Sequence, residues 1–334
     1  SQILGNDSGG DGGGIRNNNY ITIEKSTIFD NFSQGANGGG GIANDGTLYV
    51  INSTISGNRA NEDGGGLWLT SGPSYFNNVT IADNHADEDD NSAGSGGGLF
   101  NAGSSITILN SLLAQNFVFS SASLVPDDCK SGTSIVSEGY NLVGTADGCS
   151  WTSSAGDQTG TNSSPINPKI GPLAGKSTQT HPLLPGSPAI DAGNPITPGI
   201  GMNACRMTDQ RSVLRPGSIA CDIGSYEAAS ITGLTFIAPS SALISETVVI
   251  TGVIVPFRSA IPITYTWTAD EQSPIVSTSG LTESVLYSWT NSGFKTISLE
   301  VENAVSTFSS SFEIIIFEIT GSENIYLPMI MVPR

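Results

Sequence analysis

Residues 35–46 read GANGGGGIANDG. Consecutive glycines are entropically costly to order, yet a glycine run followed by an aliphatic residue recurs, ending at Ile15, Ile42, Leu67 and Leu99. Such a run either cradles a phosphate or forms a corner reused in every turn of a repeating fold. A second recurrence, I-x-x-N, decides between them. It runs through Ile3 to Asn6, Ile28 to Asn31, Ile55 to Asn58, Ile81 to Asn84 and, with leucine, Leu113 to Asn116. The asparagines are 25, 27, 26 and 32 residues apart. A period in this range marks a solenoid, in which each repeat is one coil and its neighbours complete its core.

Superposing the coils puts Ile21, Leu48, Ser74 and Ile106 in one column and Ile23, Val50, Phe76 and Ile108 two places on, both predicted to point inward. Between them Thr22, Tyr49, Tyr75 and Thr107 point outward, and Ile28, Ile55, Ile81 and Leu113 form a third apolar column. Where the strand bends, Asn52, Asn78 and Asn110 share a column that Lys25 occupies in the first full coil. Stacked asparagines can hydrogen-bond one another and the backbone leaving the sheet, so two ladders are expected, this one and Asn31, Asn58, Asn84 and Asn116. The phosphate alternative finds no G-x-G-x-x-G, and GPLAGKS (171–177) is one residue short of a P-loop. Coils with three short strands each, stacked at roughly 4.8 Å, make a parallel β-helix.

At this point the repeats resemble those of bacterial secreted β-helix proteins of the right-handed, pectate-lyase-like class, over roughly residues 1–117. Handedness is implied by that resemblance. From residue 127 the period fails and turn-rich phrases follow: EGYNLVG, GDQTG, THPLLPGSPAIDAGNP, DQR and RPGSIACDIGSYE. Together these resemble the choice-of-anchor Q segment of such surface proteins. An irregular segment suits a cap, because a last coil exposes strand edges and an apolar cross-section. Within it Asp191, Asp209, Arg211, Arg215 and Asp222 read as side chains holding loop backbone rather than as a catalytic cluster.

Strand-like runs TVVITGVIV, ITYTWTA, SVLYSWT, FKTISLEVENA and TFSSSFEIIIFEI then follow at the spacing of a β-sandwich. This stretch resembles a PKD-type immunoglobulin-like domain, which implies a core role for Trp267; the family's D-F-G-D-G-like phrase is replaced by TADEQSP. The chain ends NIYLPMIMVPR, whose Ile325, Tyr326, Leu327, Met329, Ile330 and Val332 form an apolar tail strand. It packs on its own sandwich or is lent to a neighbouring subunit. The expected fold is all-β: parallel β-helix repeats (1–126), an irregular, disulfide-stapled β-helix end or cap (127–228), a β-sandwich (229–319) and the tail (320–334).

Composition bounds the function. A net charge of -18, with 12 Lys plus Arg against 30 Asp plus Glu, disfavours nucleic acid and anionic membrane surfaces. No apolar run reaches the roughly 18 residues of a transmembrane helix. Cys129, Cys149, Cys205 and Cys221 are too far apart for a zinc knuckle. They read as disulfides in one of three connectivities, with proximity favouring Cys129 with Cys149 and Cys205 with Cys221, and hence as an oxidising, extracellular compartment.

The resemblance to pectate-lyase-like proteins implies action on acidic polysaccharides, but the basic residues of the repeats, Arg16, Lys25, Arg59 and His85, flank no defensible aspartate set. No enzyme and no cofactor are expected; Asp87, Asp89 and Asp90 in ADEDDNSAG are the one seat offered to Ca²⁺, against a solvated loop. Tyr49, Tyr75, Trp68 and Phe100 are candidate contacts for cell-surface glycans or another subunit. The opening SQILGN aligns with STISGN (53–58), with no capping sequence ahead of it. A bare coil end is adhesive, and covering it with the C-terminal part of another copy propagates head to tail. The sequence therefore predicts an extracellular structural protein that self-assembles into a fibre. The alternatives are a glycan-binding adhesin and a polysaccharide lyase or hydrolase.

Overall fold

A computed structural model describes residues 1–318 other than Lys176, Met202, Phe257 and Arg258. The apolar tail proposed at Ile325 to Val332 lies outside these residues. The described chain is all-β, with no α-helix among the described residues, and divides into two compact units.

In the first unit successive segments stack as coils, and each full coil contributes one strand to each of four parallel sheets rather than to three. The first sheet runs from Gln2–Leu4 through Thr27–Phe29, Thr54–Ser56, Thr80–Ala82, Leu112–Leu113 and Leu142–Val143 to Gln158–Thr159. The second begins at Asp7–Ser8, the third at Ile15–Asn17 and the fourth at Tyr20–Glu24. The extra sheet is the second, whose strands in the first four coils are only two residues long and too short for an alternating pattern to show.

Register carries the core. Ile3, Ile28, Ile55, Ile81, Leu113 and Val143 lie directly above one another, as do Ile23, Val50, Phe76 and Ile108. Ile28, Ile55, Ile81, Val50 and Phe76 are fully buried, and Ile23, Ile108 and Leu113 nearly so. The residues that end the glycine runs, Ile15, Ile42, Leu67 and Leu99, form a third inner column that continues onto Cys129. Each buried aliphatic side chain removes apolar surface from water at roughly 25 cal/mol per Å².

The coils do not stop at residue 126. Cys129–Ser131, Ile135–Gly139 and Leu142–Val143 form a further coil after an antiparallel hairpin, Phe117–Ser120 with Ser123–Pro126. The period fails in the sequence because this coil lacks the glycine run, while its inward columns persist. Cys129 is bonded to Cys149, and both sulfurs lie in the coil core. The segment expected as a cap also runs elsewhere. From Thr178 to Ser225 it lies along the outer face of the first sheet, touching Thr27, Ser56, Thr54 and Thr80 in turn. Cys205 is bonded to Cys221 within it.

The second unit has a three-stranded antiparallel sheet (Gly233–Ile237, Val248–Val255 and Thr282–Tyr287) and a five-stranded one centred on Gly293–Glu302. Ile297, Leu299 and Val301 are fully buried while Thr296, Ser298 and Glu300 alternate with them on the other face. Trp267 is fully buried, with Phe236 beside it.

Candidate functional site

The glycine corner and the I-x-x-N asparagines form one device. Asn31 donates its backbone N–H and its side-chain amide to Asn58 Oδ1 at 3.2 and 2.9 Å, and Asn58 repeats this toward Asn84 at 3.0 and 2.9 Å. Asn84 does the same toward Asn116 at 3.1 and 2.9 Å, so every bond of the ladder points the same way. Asn31, Asn58, Asn84 and Asn116 are fully buried. The last glycine of each run backs onto this ladder: a Cβ on Gly41 would meet Gly66 O at 2.7 Å and Asn58 Nδ2 at 3.1 Å. Glycine is required there by close approach of side chain and neighbouring coil, not by a phosphate.

The ladder ends on Asp128. Its Oδ1 accepts from the backbone and side-chain amides of Asn116, and its Oδ2 from the Thr145 backbone and hydroxyl. Burial raises the Asp128 carboxyl to about 6 against the pull of these four donors. A parallel line closes in the same way. Ser111 N donates to Asn141 Oδ1, and Asn141 donates through backbone and side chain to Asp157 Oδ1. Neither terminator was read from the sequence; an acidic residue where the asparagine column breaks off was the available signal.

Asn52, Asn78 and Asn110 occupy a corner in the left-handed region, at φ 45, 53 and 49°, which asparagine tolerates better than most residues. Their side chains mainly clamp the flanking segment instead of one another. Asn52 Nδ2 donates to Thr208 O at 2.7 Å, Arg206 N donates to Asn78 Oδ1, and Asn194 N donates to Asn110 Oδ1. Along the same seam Gln210 spans Thr54 and Thr27, and buried His181 bridges Ser56 Oγ and the Gly171 carbonyl at 2.8 Å each. Burial holds His181 below the usual histidine range.

The acidic and basic residues of that segment hold backbone. Arg215 and Glu227 form a fully buried ion pair, and Arg215 also donates to the carbonyls of Asp222 and Gly224. Asp222 accepts from the amides of Asp191 and Ala228, and Asp191 from those of Ile219 and Ala220. Asp209 accepts from Val213, Glu227 and Arg211, whose guanidinium stacks 3.5 Å over Tyr226. Burial, with Glu227 nearby, pushes the Asp222 carboxyl well above the carboxylate range.

Outside the fourth sheet Tyr20, Tyr49 and Tyr75 make a tilted stack, neighbouring centroids 5.8 Å apart. Tyr20, which the sequence reading left out, is 64% exposed. Trp68 and Phe100 are neighbours in the third sheet, but Trp68 is only 9% exposed and Arg16 lies over its ring. A further outward column also escaped notice: Phe32, Arg59, His85 and Phe117 sit in register, each directly after a ladder asparagine. Arg59 lies over Phe32, and His85 meets Phe117 edge to face.

The structure does not bring Asp87, Asp89 and Asp90 together as a cation site. Asp87 accepts from the amides of Asn91 and Ser92, Asp89 from the Asn91 side chain, and Asp90 from Ala122 N. Among the described residues no three His, Cys, Asp or Glu side chains converge as metal ligands. The two disulfides point to an oxidising environment, and no helix among the described residues is long and apolar enough to cross a membrane. Compared with known proteins, the chain matches no family model and no curated protein.

Proposed function

We propose that this chain is an extracellular structural protein: a right-handed, pectate-lyase-like parallel β-helix whose flank is sealed by the choice-of-anchor Q-like segment, followed by a PKD-like sandwich. One observation carries the reading. Most buried polar groups of the coils and of the flanking segment bond one another or backbone, in ladders ending on Asp128 and Asp157 and around the Arg215–Glu227 pair. Connected buried networks of this kind hold a scaffold rigid.

The proposed assembly is head to tail, in which a stack of parallel strands extends by pairing with a further strand from another copy. Such a contact is heterologous and propagates. Sedimentation and negative-stain imaging test it: concentration-dependent elongation supports the fibre, and monomers at every concentration overturn it.

The tyrosine stack favours a second reading, a glycan-binding surface, because aromatic rings offer flat apolar faces to sugars. Binding on a glycan array that is lost in Tyr49→Ala would support it; an array with no signal would remove it.

A further inference from the structure

Above the last coil lies a cleft of about 330 Å³, lined by Asp147, Trp151, Ser153, Thr159 and Thr161 among others. Its floor is built by register. Trp151 pairs with Ile135, so it continues the inward column of Ile106 and Ile135 and packs against the end of the coil core. Trp68, Trp267 and Trp289 are buried, whereas Trp151 is half-buried. Its Nε1 donates to Asp157 Oδ2 at 3.1 Å, which ties the indole to the terminator of the Asn141 line and fixes its plane.

The rim is polar. Asp147 accepts from Asn162 N through Oδ2 at 2.8 Å and is one of the residues lining the cleft. Ser153 and Thr159 bring hydroxyls, and the Thr161 hydroxyl is held by Ser163 at 3.1 Å. A half-buried indole beside hydroxyls and one carboxylate suits a pyranose, which offers an apolar C–H face and outward hydroxyl groups. The volume is at the lower end of small-molecule sites. The carboxylate, in a chain of net charge -18, repels acidic sugars.

We propose that this cleft binds one neutral pyranose ring, stacked on Trp151 and hydrogen-bonded by Asp147. The site is separate from the tyrosine stack and does not depend on it. The test titrates the full chain with glucose, galactose, mannose and cellobiose, following tryptophan emission. A saturable shift with at least one of these sugars is expected, with an affinity of about 1 mM for so small a contact. Ser153→Trp fills the cleft from an exposed position and is expected to weaken binding at least roughly tenfold, as is Asp147→Ala. Tyr49→Ala is expected to leave it unchanged. Absence of a saturable shift with all four sugars, or a shift that survives both Ser153→Trp and Asp147→Ala, overturns the proposal.

Discussion

Asp128 Oδ1 accepts both the backbone N–H and the side-chain amide of Asn116, each at 2.9 Å, and so ends a ladder whose bonds all run in one direction. An asparagine ladder passes one set of donors forward per coil, and its last member needs an acceptor that has no amide of its own to satisfy. A carboxylate meets that need, at the cost of burying a charge.

That cost is measurable as pH dependence. The folded-state value of Asp128, about 6, lies above the ordinary 3.8, mainly because of burial. The native state therefore holds this proton where the unfolded chain has lost it, and stability falls as pH rises from about 4 to about 6 before levelling off. The displacement corresponds to roughly 3 kcal/mol at full extent. Chemical denaturation across this range is expected to show the decline in the native sequence and a smaller one in Asp128→Asn.

Asn84→Ala removes the acceptor of the Asn58 backbone N–H and one donor each from the Ile55 and Ala82 carbonyls. With buried groups left unpaired, the expected loss is about 3 kcal/mol. Exposed Asn19→Ala is expected to stay within about 0.5 kcal/mol. Urea melts of the two variants measure the difference.

Gly41→Ala places a methyl 2.7 Å from the Gly66 carbonyl and against the ladder at Asn58. Neither neighbour can yield without shifting a coil, so a loss of at least about 3 kcal/mol is expected. At Gly5, φ is +63° and nothing lies within 4 Å, so alanine there costs only the left-handed conformation, about 1–2 kcal/mol. Thermal melts should keep this order.

Arg215→Met leaves the Glu227 carboxylate buried without its counter-charge, and a loss of about 3–5 kcal/mol is expected. Arg16 pairs with Asp11 and Asp45 near the surface, so Arg16→Met should cost less than about 1 kcal/mol. Faster limited proteolysis between Asp191 and Glu227 in Arg215→Met alone would locate the effect in the flanking segment.

The coil period and the inner columns were legible because like residues recur from coil to coil, whereas the backing of each glycine corner onto the asparagine ladder came only from the stacked coils. Ile28, Ile55 and Ile81 could be superposed on paper since parallel pairing sets like residue on like. The second sheet was hidden by the brevity of its strands, and its Phe32, Arg59, His85 and Phe117 column was legible only one place beyond the asparagines already noticed. Only the tertiary structure decided that the segment after the coils lies along the first sheet instead of over an end. The bonds that hold it there, Ser56 with His181 and Thr27 with Gln210, join residues 125 and 183 positions apart. Contacts between an aperiodic segment and a periodic one leave no recurrence to read; their geometry exists only once the coils have stacked and set a row of hydroxyls and amides along one face.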